Sequence, residues 1–231
     1  MPASIQEMVH AVESATEPVA ARFDDGPPLN GPAVVLPSAF NPPTRAHIHL
    51  LQCAAEAMEA TPAALLTTRN VAKKTQGASH VQRVEMLLAA RSALAGLAVL
   101  ASNQARIIDQ AAVLASAYPR ASFAMVVGYD TLVRLFDPVY YGDMETELTP
   151  FFAAHRVVAT NRADHGIDEV ADYITGLPGA FRERIVALEI DDHHASLSST
   201  VARGHAADGL DSHALLPGVA DYVRSHRLYR S

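Results

Sequence analysis

The densest chemistry in the chain sits in eleven consecutive residues, Pro37-Ser38-Ala39-Phe40-Asn41-Pro42-Pro43-Thr44-Arg45-Ala46-His47. They follow a short apolar run, Ala33 to Leu36, and lead into Ile48, Leu51, Ala55 and Met58 at helical spacing. A strand that turns straight into a helix gathers backbone N–H groups and the positive end of the helix dipole at one spot, which suits a phosphate. Thr44 can cap that helix or donate its hydroxyl to an anion. His47 follows three residues on, in the first turn and on the same side. On spacing alone two readings stand together: a capped helix with a solvated histidine, and a nucleotide site.

Other reactive residues invite simpler readings. Asp191-Asp192-His193-His194, with His205 nearby, has metal-ligand types. Adjacent residues do not easily converge on one ion, so the segment reads as an acidic loop ahead of a helix, and no metal site is assigned. Cys53, the single cysteine, falls inside the first helix as a small buried hydrophobe and excludes an internal disulfide framework. GxxxxGK[ST], GxGxxG after a strand, HExxH and GxSxG are all absent. P-loop, conventional dinucleotide, zincin and serine-hydrolase chemistries are therefore disfavoured.

The elements that must position these residues alternate. Strands are expected at Ala33–Leu36, Ala64–Thr68, Leu97–Ala101, Phe123–Val127, Arg156–Thr160 and Ile185–Ile190. Helices are expected from Thr44–His47 onward, over Val81–Leu94, over Ile107–Ala117 and over Val219–His226. Short apolar strands alternating with helices imply βαβ units and a parallel sheet. Such sheets bind ligands at the carboxyl ends of their strands, here the loops after Leu36, Thr68, Val127 and Ile190. Residues 1–32 read as a helical arm and linker, because Asp24-Asp25-Gly26-Pro27-Pro28 and Asn30-Gly31-Pro32 break the chain twice. Residues 33–231 read as one α/β domain whose last part, 196–231, is helical. Asp137 to Phe152, with acids, aromatics and two prolines, reads as an irregular insertion or lid.

Composition bounds the partners. Asp plus Glu total 25 against 18 Lys plus Arg, a net charge of -7, and that balance disfavours a dedicated nucleic-acid binder. No apolar run approaches the ~18 residues of a membrane span, and Lys and Arg are missing from the first twenty-one residues, where a signal peptide would carry them. The expectation is a cytoplasmic protein. Its two lysines, Lys73 and Lys74, are adjacent.

Several of these segments resemble one family. Ser38 to His47, SAFNPPTRAH, is similar to the GSFNPxTxxH signature of the adenylyl/cytidylyltransferase superfamily. Leu197-Ser198-Ser199-Thr200-Val201-Ala202-Arg203 resembles its ISSTxxR motif. Lys73-Lys74 ahead of Arg83-Val84-Glu85-Met86-Leu87 resembles the lysine loop and RxxML, and Val127 to Leu132, VGYDTL, resembles IGxDxL. The ending from Leu215 to Tyr229 is similar to the LxPxxVxxYIxxxxLY tail of the nicotinamide/nicotinate mononucleotide adenylyltransferases. The chain departs from the pattern in two places: Pro37, Ser38 and Ala39 stand where glycines usually precede the Phe, and Ala46 replaces the Gly of HxGH.

The resemblance implies a Rossmann-like parallel sheet flanked by helices, and transfer of AMP from ATP to a mononucleotide with release of pyrophosphate. It assigns His47, Thr44 and Arg203 to catalysis. Ser38, Ala39, Phe40, Asn41, Lys73, Lys74, Gly128, Asp130, Ser198, Ser199 and Thr200 would bind nucleotide. Mg2+ would arrive with ATP rather than on protein carboxylates, and a homo-oligomer is compatible with the family. Two further readings remain: a related nucleotidyltransferase with another phosphate acceptor, and a nucleotide-binding module whose altered first loop has cost it catalysis.

Overall fold

The computed structural model describes residues 3–69, 77–162 and 164–230. In chain order the elements that matter here are α1 (Ile5–Ser14), β1 (Ala20–Arg22), β2 (Pro32–Ser38), α2 (Arg45–Met58), β3 (Thr61–Thr67), α3 (His80–Ala90), β4 (Ala98–Ser102) and α4 (Ile107–Ala117). They continue as β5 (Ser122–Gly128), α5 (Tyr129–Leu135), α6 (Met144–Ala154), β6 (Arg156–Thr160), α7 (Ile167–Thr175), α8 (Gly179–Arg182) and β7 (Ile185–Leu188). α9 (Asp192–Ser196), α10 (Ser199–Ala207) and α11 (Pro217–Ser225) close the chain.

Strands buried on both faces read as near-continuous apolar runs, and β3 and β4 do so. The period-2 alternation of side chains divides each strand between two cores. Val34 and Leu36 of β2 join Leu51, Val84, Leu87 and Val219 on one face, while Ala33 and Val35 join Leu114, Leu132 and Phe152 on the other. The sheet therefore carries helices on both faces. Its order is β1-β4-β3-β2-β5-β6-β7. Every pair is parallel except β1 with β4. The chain builds outward from β2 through β3 to β4, then returns to place β5 on the other side of β2. That reversal opens a crevice at the carboxyl ends of β2 and β5.

Residues before 33, expected as an arm and linker, are woven into this fold. β1 adds an antiparallel edge strand, with Ala21 opposite Ala101. Val9 and Val12 of α1 are buried in the core, and Glu13 contacts His80 of α3 at 2.6 Å. Asp24, its side chain fully enclosed, accepts from Arg22, from the Gly26 N–H and from the Val99 N–H. The prolines that break the segment act as corners between docked pieces. The Asp137–Phe152 segment also departs from expectation. It holds a 3-10 turn and most of α6, whose N-cap is Asp143, and Leu148, Phe151 and Phe152 are buried. Pro150 lies within α6 rather than ending it. The i, i+3, i+4 apolar spacing outweighs the single proline. Among the described residues no helix is long and apolar enough to cross a membrane.

Candidate functional site

The first loop is fixed before it meets any ligand. Thr44 is the N-cap of α2 and fully buried. Its backbone N–H donates to Nδ1 of His47 at 3.0 Å, and its hydroxyl lies 2.7 Å from the same nitrogen. Nδ1 is thus an acceptor, and the hydrogen-bond pattern assigns the ring proton to Nε2. Nε2 lies 3.4 Å from the Ser38 hydroxyl. The Phe40 ring, buried beneath the loop, sits 5.0 Å from the imidazole. Phe40 takes φ 44, the left-handed backbone that turns the chain off β2. Burial, followed by the nearby Arg162 guanidinium, holds His47 down to about 4, so the ring is neutral at pH 7.

The SSTxxR segment is bolted onto this loop from above. Ser198 is the N-cap of α10 and accepts from the Val201 N–H at 3.2 Å. Ser199 donates its hydroxyl to the Pro42 carbonyl at 2.7 Å. Arg203 donates through Nη1 to the Asn41 carbonyl at 2.7 Å and through Nη2 to the Thr200 hydroxyl at 3.1 Å. Asn41 in turn holds the other side: its Oδ1 accepts from the Ala78 N–H and from the Tyr229 hydroxyl. Arg83 adds a bond to the Ala39 carbonyl at 3.2 Å. The motif pieces brace one another.

A cleft of about 450 Å3 opens at the β2/β5 crevice. Of the residues expected from sequence, Ser38, Ala39, His47, Gly128, Ser198, Ser199 and Thr200 line it. Thr44 reaches it through His47. Phe40, Asn41 and Arg203 support the loop from behind and are not among the lining residues. Asp130 lies in the first turn of α5, exposed, with its carboxylate 3.7 Å from His165 Nε2. It stands off the cleft wall. Lys73 and Lys74 lie outside the described residues.

Sequence reading missed several lining groups. Arg134 of α5 and Asn161-Arg162 after β6 all face the cleft, as do Thr67 and Gln110. Asn161 clamps the end of β7 by exchanging both amide bonds with Ile190, at 2.8 and 2.7 Å. The carboxyl-end rule, applied to the loop after Thr160 as to the other four, would have found Asn161 and Arg162. Among the described residues the lining holds two arginines and no carboxylate, a local positive field inside an acidic protein.

A switch-point cleft that offers a fixed imidazole N–H, a helix N-terminus and two guanidinium groups defines a nucleotide-binding α/β protein. Residues 35–203 match the cytidylyltransferase-like family, and the chain belongs to it. It is 26% identical over 187 residues to a putative nicotinamide mononucleotide adenylyltransferase of Schizosaccharomyces pombe, covering 74% of each chain. It is 24% identical over 202 residues to a probable nicotinate-nucleotide adenylyltransferase of Prosthecochloris aestuarii, covering 83% of this chain and 94% of that one. Its fold is that of the Plasmodium falciparum nicotinic acid mononucleotide adenylyltransferase solved with NaAD. The TM-score is 0.66 at 15% identity, over 87% of this chain and 98% of that one.

Proposed function

We propose that the protein is an adenylyltransferase that moves AMP from ATP to nicotinamide or nicotinate mononucleotide and releases pyrophosphate. The observation that carries this reading is the His47 imidazole, held neutral with Nε2–H presented to a cleft that also holds Arg134 and Arg162. The mononucleotide 5′-phosphate oxygen bonds to the α-phosphorus of ATP as the bond to the pyrophosphate oxygen breaks. Such a displacement needs alignment and charge stabilisation rather than covalent help. Nε2–H donates to a triphosphate oxygen and follows the charge that develops there. Thr44 keeps the ring in that tautomer. Ser198, Ser199 and Thr200 offer the start of α10 to phosphate, and Arg162 and Arg134 neutralise the second anion.

Arg203 acts in this reading by holding the first loop through the Asn41 carbonyl, and its further N–H groups would donate to the β- or γ-phosphate. Gly128 admits close approach of the nucleotide, Asp130 accepts from ribose hydroxyls after a side-chain turn, and Lys73 or Lys74 approaches the phosphates. Mg2+ enters as part of the MgATP substrate, and the carboxylate-free lining fits that source. The test is pyrophosphate release from ATP with each mononucleotide in turn. Turnover with one or both supports the reading. Turnover only with another phosphate acceptor, or ATP binding without any product, overturns it.

A further inference from the structure

The acidic loop after β7 does not stand alone. It docks on α2, and the contact gathers four side chains of metal-ligand type. His49 and Cys53 are one turn apart on the same face of α2, with the thiol 3.5 Å from His49 Nε2. Asp191 and His194, three apart, come from the cap and first turn of α9. His49 Nε2 lies 2.9 Å from Asp191 Oδ2, and His194 Nδ1 lies 2.8 Å from the same oxygen. One ligand atom from each of His49, Asp191 and His194 lies within 4.8 Å of the others. The two imidazole rings stack at 3.8 Å, face to face against one carboxylate.

We propose that His49, Asp191, His194 and Cys53 form a binding site for a divalent transition cation of the zinc type. Two ligands from a helix at i, i+4 and two from a second element at i, i+3 make the two-plus-two arrangement of a closed structural site. Bonds of about 2.0–2.3 Å set tetrahedral ligand atoms roughly 3.3–3.7 Å apart. Of the thiol's distances only that to His49 Nε2 falls in that range, so Cys53, outside the close three-residue set, must turn about χ1 to join it. The two hydrogen-bonded pairs must spread by about half an ångström, and the stacked rings must tilt so that the cation lies in the plane of each. An imidazole, thiolate and carboxylate set suits zinc and not magnesium. The loop's own neighbours did not suggest a site because its partners are supplied by α2, about 140 residues earlier in the chain. A cation here would tie α2 to α9. His194 and Ala195 of α9 also line the cleft, and Ser198 follows two residues after α9. The cation would thereby fix the wall that carries the SSTxxR segment.

The experiment is a Co2+ titration of the full chain after removal of metal by a chelator, followed by absorbance. The expected result is one equivalent bound, with intense visible bands of four-coordinate cobalt and a near-ultraviolet thiolate band, all removed by one equivalent of Zn2+. Asp191→Asn keeps an N-capping side chain and His194→Gln keeps side-chain bulk, so both fold. Each should weaken Co2+ binding at least about 100-fold, since even supporting residues of metal sites cost 10–100-fold when lost. Cys53→Ser should remove the near-ultraviolet band. His193→Ala, exposed beside the set, should leave affinity within about twofold. Absence of saturable binding overturns the site, as does binding unchanged in Asp191→Asn and His194→Gln. A wild-type spectrum with no thiolate band overturns the four-ligand set. None of these readouts depends on nucleotide turnover.

Discussion

Thr44 holds His47 by the backbone: its N–H donates to Nδ1 across 3.0 Å, so the imidazole can present a proton only from Nε2. A side-chain cap would have left the ring free to choose its tautomer. Here the helix start itself makes the choice, and the neutral ring is already oriented as a donor toward the cleft. His47→Ala should lower kcat by about 10²–10³-fold, the range for removing one preorganised donor. His47→Gln, whose amide N–H can reach the Nε2 position, should recover part of that loss. Steady-state pyrophosphate release measures both, and equal rates in wild type and His47→Ala would remove the residue from the mechanism.

The same histidine couples stability to acid. Burial and Arg162 take it from the ordinary 6.5 down to about 4, so the unfolded chain binds the proton more tightly. Its contribution is therefore full above about pH 6.5 and is lost as pH falls toward 4. The ring is partly open to the cleft, which trims the effect to roughly 1–2 kcal/mol at pH 5. Urea melts at pH 7 and pH 5 should show that loss in wild type and not in His47→Gln.

Arg162 lines the cleft, and its charge also bears on His47. Arg162→Ala should raise KM for the anionic substrates about 10–100-fold, as expected for loss of a charge-assisted contact, and should raise the His47 pKa. Kinetics report the first effect and imidazole NMR titration the second. A His47 pKa that stays put would mean that burial alone depresses it.

Gly128 is confined by that same arginine. A Cβ there would meet Arg162 Nε at 3.0 Å and Cγ at 3.5 Å. Gly128→Ala should change folding stability by less than about 1 kcal/mol, because a side chain and not backbone must give way. Its effect should fall on ATP affinity, through a displaced guanidinium, and isothermal calorimetry against a matched denaturation curve separates the two.

The N-terminal segment gives a test of the architecture. Val12→Ala, at a position 1% exposed, should cost about 2 kcal/mol through lost burial and the cavity left behind. A freely moving arm would show no change in the denaturant midpoint.

The parallel sheet was readable because its strands are short, nearly continuous apolar runs set between helices. Arg156–Thr160 and Ile107–Ala117 fall at the residues the periodicity predicts. β1 was not readable: three residues, Ala20-Ala21-Arg22, carry no alternation, and only pairing with β4 makes them a strand. α6 was hidden by Pro150, and α7 by a polar sequence whose buried residues are only Val170 and Ile174. At the site, His47 with Thr44 and the Ser198–Thr200 segment were legible because a strand-to-helix turn and a capped helix are local features. Arg134 was not, since an arginine on a helix declares nothing until the fold points it inward, and Arg162 was reachable only through a carboxyl-end loop left out of the reading. Arg203 illustrates the opposite limit: its motif located it, but only the structure reveals that one arm of its fork is engaged with the Asn41 carbonyl.

The brace around the first loop also orders events in time. Asn41 and Pro42 are held by Ser199 and Arg203, more than 150 positions away in sequence, and Asn41 again by Tyr229. The Arg45 N–H adds a bond to the Ala214 carbonyl at 2.8 Å. Contacts that span so much chain close late in folding, after the entropy of bringing distant ends together has been met. The sheet can therefore form while the first loop is still unsupported, and the loop is complete only when residues 199–229 have docked. If the first loop holds nucleotide as proposed, nucleotide binding would report the arrival of the C-terminus.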